Sequence, residues 1–516
     1  MFQLCRFLKD KVTPHVFSVI PNIDRSSSFL TRPFCAQMKL LVIAILLVAF
    51  TMVGVAGGRK KTSNIKKIYM TRSRLREMGD KIKKTLELSA EMTADLVKRT
   101  RNIRRIRRSK VEGEEGSIDE INKKTGIRKY LFQGDIVLNR VQEEEIVNDI
   151  EEASAKRTKR QAYKDKNYPS TLWSEGVAYY FGADTPSKTK RIFKKAAKAW
   201  EENTCIDFRE DEEAEDRLYV YPEDGCWSFV GRDGGEQALS LGKGCDTVGI
   251  AAHEIGHALG FFHTMSRHDR DEYITINVNN VEPDWLDQFT KETKRTNENY
   301  GMKYDYGSIM HYGGNSASKN DEPTMVPFDV DYQETLGSEM ISFTDLSMIN
   351  RHYGCKAKCE RRKSAKCEHG GFPHPRNCST CICPSGYGGA LCNERPDGCG
   401  SVLEAKPKWT KLVDVLGSGK LTKEDYKKCN YWIESPENTK IEVKLVRFPD
   451  GLAIDGCHWA GVEIKTNKDQ TLTGYRFCAK EDAGVTLKSH TNLVPIITYN
   501  RAWETKIVLQ YRYVSK

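Results

Sequence analysis

Between Asp246 and Asp271 the chain reads D-T-V-G-I-A-A-H-E-I-G-H-A-L-G-F-F-H-T-M-S-R-H-D-R-D. His253 and His257 are four residues apart, which places both imidazoles on one face of a helix, one turn apart, within reach of one metal ion. Glu254 travels with them, close enough to take a proton from a water on that ion. Gly260 lets the chain leave the helix in a sharp turn that only a residue without a side chain makes cheaply. The turn delivers His263 as a third ligand. Three neutral imidazoles and a fourth position open to water describe a catalytic Zn2+ ion, not a closed structural one. The chain has only 11 histidines in 516 residues. Three of them on this spacing, with the glutamate in place, argue against a helix that merely happens to carry histidines.

The extended pattern H-E-x-x-H-x-x-G-F-x-H, followed by Arg267-His268-Asp269-Arg270-Asp271, resembles the astacin branch of the metzincin proteases. Ser308-Ile309-Met310-His311-Tyr312 is similar to that family's Met-turn. The resemblance implies that Met310 lies beneath the metal as an apolar floor. It also implies that Tyr312 ligates zinc at rest and swings away to stabilise the oxyanion. The likeness runs from Leu172-Trp173 to Cys355 and implies a zinc endopeptidase with one catalytic Zn2+. A rival of another class is a matrix adhesion protein built on a silent protease scaffold; the presence of Glu254 separates the two.

Upstream, Phe132-Gln133-Gly134-Asp135 resembles the pro-segment motif that keeps astacins latent. There Asp135 would take the zinc position meant for water, and Gly134 would let the backbone approach the cleft. Astacins place a glutamate directly after the third histidine, where it meets the new N-terminus of the cut enzyme. This chain has Thr264 instead. The usual salt-bridged activation step is therefore not expected.

The elements that must position these groups follow from pattern. Trp173–Phe181 reads as a strand. Thr185-Pro186 opens a helix whose apolar face is Ile192, Phe193, Ala196, Ala197 and Trp200. Leu218–Tyr221 and Gln237–Leu241 read as strands, the second resembling the family's edge strand along which substrate lies extended. The family pattern pairs Cys205 with Cys355 and Cys226 with Cys245. The first bridge would close about 150 residues, for which loop entropy gives roughly 4–5 kcal/mol.

Length and 16 cysteines point to several domains in an oxidising compartment. Residues 1–57 form a signal region. Leu40 to Val55 is an apolar run after Lys39 that ends in small residues, the layout of a secretory signal, with Met38 a candidate true start. A signal-anchor that tethers the protein to a membrane is the competing reading. Residues 58–160 read as a propeptide. Within it, residues 59–110 hold 19 Lys/Arg against 5 Asp/Glu, a surplus of 14. The whole chain is only +10, so the remainder sums to about −4. A nucleic-acid role has little support on that distribution. Leu75, Met78, Ile82 and Leu86 follow helical spacing. Arg104-Arg105-Ile106-Arg107-Arg108 is either a processing site or a solvated charge run, whereas Arg157-Thr158-Lys159-Arg160 stands directly before the protease and predicts a cut after Arg160.

The expected fold is multidomain. Residues 161–356 form an α+β metzincin-type protease. Residues 357–393 resemble a small disulfide-rich EGF-like module, and 399–516 an all-β CUB-like sandwich. By family order the small module pairs Cys359 with Cys378, Cys367 with Cys381 and Cys383 with Cys392. Cys399, Cys429, Cys457 and Cys478 belong to the sandwich. Ala460-Gly461 stands where many CUB domains carry an Asp-Tyr pair, so no calcium-dependent ligand site is expected there. Asn377 begins a glycosylation sequon. Extracellular protein or peptide substrates are expected, matrix and cuticle proteins among them.

Overall fold

Why the chain buries its imidazoles begins with a sheet and two helices. A computed structural model describes residues 75, 77–104, 106, 116–153, 162–164, 167–359, 363–419 and 424–515. The apolar run after Lys39, Met38 and Arg160 lie outside the described residues.

Helices α1 (Gly79–Thr85), α2 (Ala90–Asn102) and α3 (Ile118–Thr125) precede the short strand β1 (Ile136–Val137), helix α4 (Arg140–Ala153) and the short strand β2 (Ala162–Tyr163). The apolar stripe Leu75, Met78, Ile82 and Leu86 is buried, as its spacing predicts. α3 opens on a capping box between Ser117 and Glu120 and ends at Gly126, whose φ of 75° closes the helix. Its inward face carries Ile118, Ile121 and, less expectedly, Asn122.

A six-stranded sheet joins β1, β3 (Val177–Phe181), β4 (Phe208–Glu210), β5 (Arg217–Tyr221), β6 (Cys226–Phe229) and β7 (Glu236–Leu241). Their spatial order is β1-β6-β7-β5-β3-β4. β4, β3, β5 and β7 run parallel, while β6 is antiparallel to β7 and β1 parallel to β6. Helices α5 (Ser187–Glu202) and α6 (Val248–Ala258) pack on one another. The predicted apolar face of α5 is buried throughout, and the Trp200 indole N–H donates to the Ala252 carbonyl at 2.9 Å. Helix α7 (Phe343–His352) starts on a Ser342–Asp345 capping box.

Three expectations need correction. The strand predicted from Trp173 begins only at Val177, because Trp173 leaves the sheet and its indole donates to Ala258 O at 2.8 Å. Pro186 caps α5 rather than opening it. The strand at Gln237–Leu241 is not an edge. The loop from Val230 to Gly235 turns through Gly231, Gly234 and Gly235, all at positive φ, and folds Cys226–Phe229 back against it. The four-residue β6 is the next strand in from this end of the sheet, and β1 of the upstream segment covers it.

Further along the chain, strands Phe372–His374 and Asn377–Ile382 form a two-stranded sheet. Two further sheets follow, of five and four strands. The first joins Val402–Glu404, Lys427–Glu434, Leu493–Asn500, Ala460–Ile464 and Tyr475–Phe477. The second joins Thr410–Gly417, Glu504–Ser515, Thr439–Arg447 and Thr486–Lys488. They share one core that includes Ile433, Val443, Ile496 and Leu509. Among the described residues seven disulfides are formed: Cys205–Cys355, Cys226–Cys245, Cys359–Cys378, Cys367–Cys381, Cys383–Cys392, Cys399–Cys429 and Cys457–Cys478. Asn377 is exposed beside the bridged Cys378 and accepts from the Ser379 hydroxyl at 2.7 Å. No helix among the described residues is long and apolar enough to cross a membrane.

Candidate active site

α6 is capped by Thr247, whose hydroxyl accepts from Ile250 N–H, and every residue from Gly249 to Ala258 is buried. One turn of this helix separates His253 from His257. At Gly260 the chain reaches a φ of +107°, and a side chain there would press on His352. The chain then brings His263 back to the other two. The Nε2 atom of His253 is 3.1 Å from that of His257 and 3.2 Å from that of His263. Each ring turns its Nδ1 toward a fixed oxygen: His253 to Ile309 O at 2.7 Å, His257 to Phe261 O at 2.6 Å, and His263 to Gln133 Oε1 at 2.9 Å. With Nδ1–H donating, each Nε2 presents its lone pair to the common centre. Burial pushes the pKa of His263 down to about 3 and lowers that of His257, which keeps both rings neutral.

Asp135 completes the cluster. Its Oδ2 lies 3.1 Å from His253 Nε2, and its Oδ1 lies 3.4 Å from His257 Nε2 and 3.3 Å from His263 Nε2. The carboxylate is fully buried and Oδ1 accepts no hydrogen bond. Three lone pairs and a carboxylate oxygen aimed at one another repel unless a cation sits among them, and all four ligand atoms lie within 4.8 Å of each other. Nitrogen and oxygen donors in that number suit Zn2+, so the donor set fits the ion.

Gly134 explains how Asp135 gets so close. It has a φ of +98°, and a Cβ there would stand 2.7 Å from the Trp285 ring and 3.0 Å from Tyr312 Oη. The Tyr312 hydroxyl donates to Asp135 Oδ2 at 2.6 Å, and its ring lies 4.5 Å from that of His263. Glu254 is fully buried and neither carboxylate oxygen has a hydrogen-bond partner. Burial, and then the charge of Asp135, push its pKa well up. Met310 lies beneath α6: a Cβ on Gly256 would meet its sulfur at 2.6 Å, so the glycine of H-E-I-G-H makes room for the methionine. Thr264 is buried and its hydroxyl donates to Ser308 Oγ at 2.9 Å. Arg267 holds Asp269 through two hydrogen bonds, of 2.8 and 2.7 Å, and supports the turn after His263.

Asn122 and Arg128, which the sequence pattern did not single out, hold this arrangement together with Gln133 of the upstream motif. Asn122 Nδ2 donates to Gly134 O at 2.9 Å and to Cys226 O at 2.7 Å, while its Oδ1 accepts from Cys226 N–H at 2.8 Å. One side chain thus ties α3, the Asp135 segment and β6 together. A polar residue on the apolar face of a capped helix was the available signal. Gln133 accepts from His263, and its own N–H donates to Gln288 Oε1. Arg128 pairs with Asp119 at 2.8 Å and Glu282 at 2.5 Å beneath the same segment, its guanidinium 4.3 Å from the Trp285 ring centroid.

Residues 165–354 match the family model described as Astacin, a family of peptidases. Zinc metalloproteinase nas-31 of Caenorhabditis elegans is 48% identical over 412 residues, covering 79% of this chain and 67% of that protein. Zinc metalloproteinase nas-29 of the same organism is 38% identical over 424 residues, 77% of this chain and 78% of that protein. Among solved structures, high choriolytic enzyme 1, a hatching enzyme zinc-protease from the medaka fish Oryzias latipes, is 32% identical. It covers 37% of this chain and 94% of its own, with a TM-score of 0.33. The chain therefore belongs to the astacin family of zinc metalloproteinases and is a zinc metalloendopeptidase.

Proposed function

We propose that this metalloendopeptidase is made as a latent precursor, is secreted, and becomes active when residues 58–160 are lost after a cut at Arg160. The observation that carries this reading is the place of Asp135, whose carboxylate stands among the three Nε2 atoms where a water nucleophile must enter. His253, His257 and His263 would hold the zinc through Nε2. Bound there, the ion supplies Lewis acidity toward water and toward the scissile carbonyl.

The chain's own groups do the rest. The Nδ1 donors fix the three rings, so little reorganisation remains when substrate arrives. Glu254, buried and without a partner, takes a proton from the attacking water and hands it to the leaving amine as the peptide bond breaks. Tyr312, released from Asp135, donates its hydroxyl to the developing oxyanion. Met310 fills the floor and keeps it dry. Departure of β1 would free the N–H and C=O groups of β6 that face it, an edge to which an extended substrate main chain can pair.

The seven disulfides among the described residues support an extracellular destination. The residues 357–393 then read as an EGF-like module and 399–516 as a CUB-like module, with matrix binding or spacing as their role and Asn377 as a glycosylation site. Extracellular proteins or peptides are the substrate class. The test is direct. Chain cut after Arg160 should cleave a generic protein substrate, lose activity to a zinc chelator, and lose at least about a hundredfold with Glu254→Gln while keeping its zinc. Full activity in that variant defeats the mechanism. Recovery of the chain in the medium, with none in the membrane fraction, tests secretion.

A further inference from the structure

The cavity that His253 and Tyr312 line has a volume of 1280 Å³, and it is lined also by Glu334 and by Arg104 of the upstream segment. Arg104 heads the first basic cluster, yet it is not a solvated charge. Its Nε donates to Asp482 Oδ1 at 2.8 Å and its Nη1 to Asp331 Oδ1 at 3.0 Å. Its Nη2 lies 3.7 Å from Glu334 Oε1, and its guanidinium is 5.3 Å from the ring centroid of Phe477.

The two inner carboxylates are built into the fold. Asp482 is fully buried and its Oδ2 accepts from Ala479 N–H at 2.9 Å. Glu334 is 6% exposed and its Oε2 accepts from Cys478 N–H at 3.2 Å. Each thus gives one oxygen to the backbone and turns the other toward the guanidinium. Glu334 Oε1 accepts no hydrogen bond at all. Burial, and then Asp482, push the Glu334 pKa well up, as expected of two carboxylates buried side by side. Such a pair is costly to leave without a cation. Residues 58–160 contain no cysteine, so no disulfide retains Arg104 once the chain is cut at Arg160.

We infer that in the cut enzyme Asp331, Glu334 and Asp482 form a second recognition site, which takes an arginine side chain of the polypeptide substrate and which Arg104 fills in the precursor. This rests on the reading of residues 58–160 as a detachable segment. The shape of the site selects the ligand. Three carboxylates meet three different nitrogens of one planar fork, which a lysine ammonium cannot match. The aromatic face of Phe477 suits a flat, weakly hydrated cation and offers no oxygen to a metal ion. Because the same cavity holds His253 and Tyr312, an arginine seated there belongs to a chain that can also reach the catalytic groups.

The probe is a fluorescent peptide of the sequence Thr100–Ser109, with arginine or its neutral isostere citrulline at position 104. Binding is read by anisotropy on cut full-length chain carrying Glu254→Gln, so that turnover plays no part. Citrulline should weaken binding by about tenfold to a hundredfold, the range for a charge-assisted contact. Asp331→Asn, at a side chain that is 32% exposed, and Glu334→Gln should weaken the arginine peptide and leave the citrulline peptide unchanged. With active enzyme, substrates bearing one arginine at increasing distance from the scissile bond should show a lower KM at one spacing, with kcat unchanged. Equal binding of both peptides and equal KM at every spacing would overturn the proposal. Competition by Ca2+ that Glu334→Gln abolishes would also overturn it, by assigning the trio to a metal. If the cut chain stays silent, the detachable segment is refuted. The site is then judged on uncut chain carrying Arg104→Ala, where failure to bind the arginine peptide in preference to citrulline rejects it.

Discussion

Removing the Asp135 carboxylate should open the cleft of the precursor only in part, because that carboxylate is not what holds its segment down. β1 pairs with β6, Ser228 N–H donates to Asp135 O at 3.0 Å, and Leu131, Phe132, Ile136 and Val137 are all fully buried. The most concentrated anchor is Asn122, with three buried hydrogen bonds of 2.7 to 2.9 Å to Gly134 and Cys226. Asn122→Ala removes all three. At about 0.5–1.5 kcal/mol net for each, the segment loses about 1.5–4.5 kcal/mol of hold. At about 1.4 kcal/mol per factor of ten, the open population rises about tenfold to a thousandfold. The measurement is the initial rate on a short quenched peptide, in a precursor made uncuttable by Arg160→Ala. Asp135→Ala should give a small leak, and Asp135→Ala with Asn122→Ala a leak larger by the factor above. Asn122 bonds Gly134 and Cys226 and none of the three histidines, Glu254 or Tyr312, so the change acts on the hold of the segment. A double variant no faster than the single one, with both folded by thermal midpoint, would refute the reasoning.

Tyr312→Phe should lower kcat of the cut enzyme by about a hundredfold with KM little changed, as loss of an oxyanion donor does; an equal rise in KM would place Tyr312 in ground-state binding instead. Glu292 is buried with Oε1 unpartnered, and burial raises its pKa from 4.5 to about 8. A raised carboxyl pKa favours the folded state fully below pH 4.5, and that contribution is lost as pH climbs toward 8. Glu292→Gln should therefore raise the Tm of the precursor at pH 8 and change it little at pH 5, and an equal shift at both pH values speaks against it. With Thr264 in place of a carboxylate, enzymes starting anywhere from Thr158 to Lys164 should differ little in turnover. A fall beyond about a hundredfold, roughly 2.7 kcal/mol, for all but one terminus would contradict this.

What could be read from the sequence was whatever is local in it. His253, Glu254, His257, Gly260 and His263 lie within eleven residues, and one helix with one turn positions them. The stripe on α5 and that of Leu75 to Leu86 were legible because helical period is a local property. Strand β6 was not. Cys226–Phe229 is four residues with no alternation, all of them buried, and its place depends on a glycine-rich reversal that swaps which strand faces the cleft. Asn122 and Arg104 were missed for a related reason. Asn122 gains its two bonds to Cys226, and Arg104 its carboxylate partners, from residues more than a hundred positions away in the chain, which no local pattern shows. The basic cluster at Arg104 is a case where composition suggested solvent or a protease while the fold supplies three carboxylates.

Thr264 raises the question of what steadies the site where the family's glutamate is absent. The Thr264 hydroxyl donates to Ser308, and Ser308 donates to Asp345 Oδ1 at 2.6 Å. Asp345 Oδ2 accepts from Ile309 N–H and Ser342 N–H, both at 2.9 Å. On the other side of the same residue, Ile309 O receives His253 Nδ1 at 2.7 Å. The negative charge has thus not vanished from this region. It sits on α7, reached through two hydroxyls, and it fixes the Met-turn that in turn fixes His253. Burial raises the Asp345 pKa to about 6, so at neutral pH the carboxylate is ionised and all three donors point at it. This chain of hydrogen bonds runs from Thr264 through Ser308, Asp345 and Ile309 to His253 and draws on no residue before Thr185. Under the proposed cut at Arg160, the orientation of His253 is set beforehand, and the cut would change access to the cleft rather than the geometry inside it.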